Sequence, residues 1–204
     1  MAGRQSTGDR KAQIVAEVLR LADEIGPDRL STTDVARAVG LSQPAIFRHF
    51  PTKGALWLAV AEDIAARLRQ NWTAAESQAA EPDARLKALI GAQLTAIAGT
   101  PSLPSILFSR ELQVDNAALR DVFRGLLATF QGRLVAALRD QQASGDLRRD
   151  VATEDAAMLL ASLVQGVAIR WTLGARGFPI VEEGLRLFDL QMTLLRAQED
   201  APDG

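Results

Sequence analysis

The chain has 204 residues, 48% hydrophobic and 24% charged, enough to bury one sizeable core or a core with a small satellite, and too apolar for a disordered chain. With no cysteine and a single histidine, it excludes disulfides, thiolate metal sites and cysteine nucleophiles, and it suits a reducing cytoplasm. The formal net charge of −2 hides an asymmetry: residues 1–54 carry eight Lys/Arg against six Asp/Glu, which makes the head about +2 and the remainder about −4.

The N-terminal MAGRQSTGDRKAQ lacks the apolar run of a signal peptide. From residue 9 onward the pattern is helix and short turn. Ile14, Val18, Leu21, Ala22 and Ile25 recur at helical spacing until Gly26-Pro27 stops the first helix. Two short helices follow at roughly 32–39 and 43–50, then a long one from about Lys53 to Ala79. Further helices are expected at 83–99, 103–114, 117–143, 154–174 and 180–197, punctuated by Thr100-Pro101, Asp115-Asn116, Ser144-Gly145-Asp146 and the Gly174 to Pro179 segment. The expected fold class is all-α: a three-helix N-terminal head and a larger C-terminal helical bundle, about nine helices in total. The expected division is a helical head at 9–69 and a larger helical domain at 70–200.

Between Ala156 and Leu173 the only formal charge is Arg170. Ser162, Gln165, Gly166, Arg170 and Thr172 interrupt the run, and positive flanks are poor, which argues against a membrane span. A helix apolar on nearly all sides is otherwise buried on all sides. In a chain this short, that means one face toward its own core and another toward a second copy, with Gly166 allowing close helix approach. The amphipathic segment 180–197 completes the expected homodimer surface.

Residues 31–54, STTDVARAVGLSQPAIFRHFPTKG, hold the most specific pattern. Two short helices joined by Gly40-Leu41-Ser42 form a helix-turn-helix. Ala36 is small where the helices cross, Gly40 suits a left-handed terminus, and Ile46 with Val35 and Val39 fills the wedge. Ser31 with Asp34 forms a capping-box variant; Ser42 is expected to cap the second helix, and Pro44 fits its first turn. With Ile46 and Phe50 inward, the outward set is Gln43, Ala45, Phe47, Arg48 and His49. Gln43 suits a bidentate pair with adenine and Ala45 a thymine methyl. Lys53 opens the next helix, where backbone amides and the ammonium group can hold a phosphate.

The segment from about Asp9 to Ala66 resembles the DNA-binding head of TetR-family transcriptional regulators. The residues that carry the resemblance are the helix ending at Gly26, then STTDVARAVGLS, then AIFRHFPTKGAL. It implies a homodimer whose last two helices form a four-helix interface and whose middle helices enclose an effector pocket. Where family members commonly have tyrosine, this chain has Phe47, so one phosphate donor is missing. Phosphate holding then falls on His49, Lys53 and the Thr32 and Thr33 hydroxyls. The DNA-binding candidates are Ser31, Thr32, Thr33, Ser42, Gln43, Pro44, Ala45, Phe47, Arg48, His49 and Lys53.

His49 has no second histidine or cysteine to share a metal, and no nucleophile and orienting acid in a recognisable arrangement. A backbone contact to DNA is the expectation, with a satisfied core histidine as the plain alternative. Neither a metal nor a cofactor is expected. The absence of a phosphate-cradling glycine loop and of G-x-S-x-G speaks against an enzyme.

The middle helices supply apolar residues with few polar ones among them, which favours a hydrophobic effector with a small polar handle. The candidates are Phe108, Glu111, Phe123, Phe130, Arg170 and Trp171, with Arg170 suited to an anionic group, to Glu111 or to an acid of a partner subunit. The expected function is a ligand-responsive repressor of double-stranded DNA with a palindromic operator, located in the cytoplasm at the nucleoid and away from membranes. The alternative is an architectural or nucleoid-associated DNA binder of the same fold acting through protein partners. The stretch GTPSLPSILFSREL at 99–112 resembles the division-inhibiting branch of the family, which supports that alternative.

Overall fold

The computed structural model describes residues 7–79 and 81–196. Ten helices account for nearly all of them: α1 (Thr7–Ile25), α2 (Thr32–Ala38), α3 (Gln43–His49), α4 (Lys53–Gln78), α5 (Pro82–Gly99), α6 (Leu103–Phe108), α7 (Arg110–Asp115), α8 (Ala117–Ser144), α9 (Thr153–Leu173) and α10 (Ile180–Leu195). The fold is all-α, as expected, with one helix more than the sequence pattern indicated. Among the described residues the β structure is a single antiparallel bridge between Leu147 and Arg196.

The extra helix arises at Ser109. The apolar pattern of 103–114 reads as continuous, with neither glycine nor proline at the break. Ser109 nevertheless adopts an extended ψ of 110°, and its hydroxyl accepts from the Leu112 backbone N–H at 3.0 Å, capping α7. The same hydroxyl donates to the Asp28 carboxylate, far away in sequence. A tertiary contact therefore ends α6, and local propensity carries no sign of it.

Two compact units divide the chain: one takes the residues to Arg67 together with Thr100–Leu126, the other Leu68–Gly99 together with the residues from Leu127. In the first, Ile14, Val18, Val35, Ile46, Leu56 and Trp57 are buried to 1% exposure or less, so α1 to α4 close on one another through branched apolar side chains. A Cβ on Gly54, in the first turn of α4, would come within 2.9 Å of Asn116 Oδ1, so a larger residue there would displace the Asn116 amide.

In the second unit α5, α9 and α10 pack together. Gly184 of α10 lies directly on α5: a Cβ there would stand 2.5 Å from Leu94 Cδ1. Trp72 of α4 is buried, donates its indole N–H to Gln93 Oε1 at 2.9 Å, and meets Phe130 of α8 at 4.9 Å between ring centroids. Among the described residues, α9 is the one helix long and apolar enough to cross a membrane. Its Ala157, Leu160, Val164 and Ala168 are instead buried in this unit.

Candidate nucleic-acid interface

The helix-turn-helix is assembled by local chemistry. Ser31 caps α2 with φ −104° and ψ 156°, its hydroxyl accepting from Asp34 N–H at 3.2 Å while its own N–H donates to Asp34 Oδ2 at 3.1 Å, a complete capping box. Hydrogen bonds from the Ser31 hydroxyl first, and from its backbone N–H second, hold the Asp34 carboxyl below the usual aspartate range. At the other end of α2, Gly40 takes φ +68°, its N–H donating to Arg37 O at 3.3 Å and that of Leu41 to Ala36 O at 2.8 Å. This double closure is the Schellman arrangement, and it turns the chain sharply into α3. Ile46 at 0% exposure and Val35 at 0% fill the wedge; Val39 is half-buried beside them.

The surface that remains is narrower than the outward set read from the sequence. Gln43, Phe47 and Arg48 are exposed on α3, Phe47 at 38%. His49, in the last turn, is half exposed, so it is no core histidine. Lys53 is exposed at the start of α4, and Thr33, Ser42 and Pro44 are exposed nearby in the chain.

Four of the candidates stand differently from the outward set. Ala45 is buried at 4% exposure, because the first turn of α3 rolls inward with Ile46, and it has no methyl free for a base. Thr32 is buried at 8%, and its hydroxyl oxygen accepts from Gln43 Nε2 at 2.9 Å, so the side chain is engaged with α3 and does not stand on the outward face. Ser42 stands at the cap position of α3 but makes no side-chain capping bond; the Ala45 N–H is met by the Ser42 backbone carbonyl at 2.9 Å. Ser31 is half-buried with its hydroxyl committed to Asp34 at 2.5 Å.

Two contributors were missed. Thr52 accepts from Ala55 N–H at 3.0 Å and so fixes the first turn of α4, where Lys53 sits. A threonine just ahead of the helix start was the available signal. Lys11 of α1 lies 5.6 Å from the Phe50 ring centroid, a cation–π contact that the sequence separation concealed.

The six effector candidates divide evenly between the two units. In the first unit, Phe108 is 47% exposed, Phe123 is buried, and Glu111 lines a cleft of about 210 Å³ with Lys53, Trp57 and Asn116. In the second unit, Phe130 packs on Trp72, and Trp171 is buried with its indole N–H donating to Phe178 O at 3.1 Å. Phe123, Phe130 and Trp171 thus serve as core in their own units. Arg170 is exposed with its guanidinium 5.8 Å from the Phe178 ring centroid. Its charge adds to the stronger Arg186 hydrogen bonds that hold the Glu183 carboxyl below its usual range.

This architecture recurs in known proteins. The solved structure of a putative transcriptional regulator from Saccharomonospora viridis in complex with choline superposes with a TM-score of 0.83 at 21% identity, covering 94% of this chain and 100% of that one. The fatty acid degradation regulator FadR from Bacillus halodurans gives 0.79 at 18% identity, covering 92% and 97%. In sequence, the nucleoid occlusion factor SlmA of Vibrio atlanticus is 25% identical over 198 residues, 97% of this chain and 99% of the relative. Residues 14–60 match the family model of bacterial regulatory proteins of the tetR family, and residues 82–188 match that of the BetI-type transcriptional repressor C-terminal domain. With the helix-turn-helix and more than half of the chain described by these two models, the protein belongs to the TetR family of DNA-binding transcriptional regulators, a family without enzymatic activity.

Proposed function

We propose that the protein is a homodimeric repressor that holds a palindromic operator and is released from it by a small hydrophobic effector. The observation that carries this reading is the exposed face of α3, where Gln43, Phe47 and Arg48 stand clear of the core with Lys53 following at the head of α4. Arg48, His49, Lys53 and the Thr33 hydroxyl would meet phosphates, the Phe47 ring the sugar-phosphate backbone, and Gln43 a base edge. Residues 9–69 act as the reading domain and 70–200 as the sensing and dimerising one.

Support for a dimer comes from apolar side chains left in the open on the last two helices. Met158, Leu159, Ile169 and Leu173 on α9 are 55%, 52%, 40% and 83% exposed, and Leu190 and Leu194 on α10 are 55% and 69% exposed. Six large apolar side chains in the open on these two helices, more than half of the exposed large hydrophobics among the described residues, favour a surface that a partner covers. Gly166 lies on the same exposed side with nothing within 4 Å of where a Cβ would be, leaving room for a facing helix. Twofold pairing then places two recognition helices about one DNA turn, ~34–36 Å, apart or somewhat more.

Release follows from linkage. If effector and operator favour different arrangements of the dimer, each weakens the other by the same factor, typically ~1–3 kcal/mol or 5- to 150-fold. α4, a single helix from Lys53 to Gln78, carries both Lys53 and Trp72 and would be the element through which the two ligands are linked. The test begins by selecting duplexes from a randomised pool with the full-length protein. Hydrophobic small molecules, with choline included because the Saccharomonospora relative binds it, are then screened by thermal shift, and hits are titrated against the selected duplex. A binder that lowers duplex affinity by at least fivefold supports the repressor. If every binder leaves that affinity untouched, the second reading stands: a DNA-bound architectural protein acting through protein partners. That reading draws on the full-length likeness to nucleoid occlusion factors.

A further inference from the structure

We infer that Thr32 sets the base preference of the protein without touching DNA, by holding the Gln43 carboxamide in one orientation. The inference rests on the reading of Gln43 as a base contact. The two residues open adjacent helices: Thr32 is the first residue of α2 and Gln43 the first of α3. Gln43 Nε2 donates to Thr32 Oγ1 at 2.9 Å. Gln43 is exposed, whereas Thr32 is 8% exposed, so the bond ties a surface amide to a buried anchor.

The anchor is stiff for three reasons. Threonine is β-branched, which restricts its first side-chain torsion. Its neighbour Ser31 locks the first turn of α2 through the reciprocal bonds with Asp34. Burial leaves the Thr32 side chain little room to turn. A glutamine without such an anchor has three free torsions and must be ordered when it meets a base.

The consequence for recognition lies in counting donors. A carboxamide has two N–H donors and one oxygen acceptor. With one N–H given to Thr32, the outward amide offers one donor and one acceptor. Adenine presents one acceptor, N7, and one donor, the N6 amino group, and so matches. Guanine presents two acceptors, N7 and O6, and would need the donor that Thr32 occupies. The threonine therefore favours adenine by orientation and disfavours guanine by occupancy.

The experiment compares full-length wild-type protein with Thr32→Val, Thr32→Ser and Gln43→Ala by selection from a fully randomised duplex pool, followed by affinity measurements on the selected duplex and its single-base variants. Thr32→Val keeps the shape and removes the acceptor; adenine over guanine preference should fall roughly 2- to 12-fold, the worth of one immobilised side chain, at the position that Gln43→Ala also relaxes. Thr32→Ser, which keeps the hydroxyl, should recover most of that preference. Thr32→Ala covers the case in which valine disturbs the α2 turn, and thermal midpoints report any such disturbance. An unchanged preference in Thr32→Val and Thr32→Ala overturns the inference. So does an equal loss at every base position together with a lowered midpoint, because that is the signature of a merely structural threonine. If Gln43→Ala relaxes no position at all, the failure lies one step earlier, in Gln43 as a base contact.

Discussion

The exposed surface of the α2–α3 pair and that of α9–α10 differ in chemistry. On α3 the side chains in the open are an amide, a proline ring, a phenyl ring and a guanidinium, while Val35, Ile46 and Phe50 are packed away. On α9 and α10 the residues in the open include Met158, Leu159, Leu173, Leu190 and Leu194, as apolar as those beneath them. A surface that must stay hydrated until it meets phosphates can afford few large apolar groups. A surface covered by protein, as proposed for α9 and α10, has the opposite requirement. Each region also uses glycine differently: Gly40 for its left-handed φ, Gly166 for the space above it.

The sharpest way to break the contrast is to charge the apolar face. Gly166→Glu adds a side chain where nothing lies within 4 Å, so the protomer should keep its fold. In the dimer the carboxylate would be taken out of water with Arg170, one helical turn on, as its one offset, and since desolvating even a paired charge costs several kcal/mol the dissociation constant should rise at least ~10-fold. Sedimentation velocity should show monomer at micromolar concentration, with operator binding lost alongside. A dimer that persists at wild-type strength would place the interface elsewhere.

Gly184 gives the opposite control. Here the added atom meets the core, since a Cβ would stand 2.5 Å from Leu94 Cδ1, and Leu94 is itself fully buried. Gly184→Ala should cost about 1–3 kcal/mol through overpacking, visible as a lowered melting temperature. Gly166→Ala, by contrast, should raise protomer stability by about 0.5–1 kcal/mol, as removing a mid-helix glycine ordinarily does. If the two alanines behaved alike, burial would not be what separates these helix faces.

On the reading surface, Lys53→Ala should weaken binding to all duplexes and reduce the slope of log affinity against log salt by about 1. Gln43→Ala should cost about 1–3 kcal/mol of discrimination at a single base position and leave that slope as it was. Titrations at several salt concentrations on matched and mismatched duplexes separate the two, and identical profiles would refute the division of labour between them.

How far the sequence carried depended on whether the determining interaction was local. The capping box of Ser31 and Asp34, the turn at Gly40 and the inward Ile46 are set by residues within a few positions of one another, and all were legible. The break at Ser109 was not, because Asp28 lies far from it in the chain. Ala45 was misplaced by one step of helical phase: at the first turn of a seven-residue helix, a small roll decides whether an alanine faces the base pairs or the core. The effector candidates were chosen as large side chains with few polar neighbours, a description that fits a filled core equally well. Phe130 shows this, lying against Trp72 rather than an opening.

The smallest expected effect concerns acid. Asp34 accepts from the Ser31 hydroxyl and N–H, with Arg37 Nη1 3.7 Å away, and these partners hold its folded pKa below the unfolded value. A carboxyl shifted in this direction contributes stability that is fully present above the ordinary aspartate pKa. The contribution fades as the pH falls through the lowered folded value, because the protonated acid no longer draws on the same bonds. Between neutral pH and the ordinary aspartate pKa, the wild type should therefore hold a constant margin over Asp34→Asn, whose amide accepts hydrogen bonds but carries no charge. Below that range the margin should shrink, and the melting curves of the two should converge. The group is on the surface of α2, so the margin is modest and salt should reduce the part that comes from Arg37. Melting temperatures for both proteins across pH 3 to 7 decide the matter (the range is chosen to bracket an ordinary aspartate, about 3.9). A margin that stayed flat to the acid limit would mean that the capping box owes nothing to the charge on Asp34, and that its geometry alone holds the start of α2 against the recognition helix.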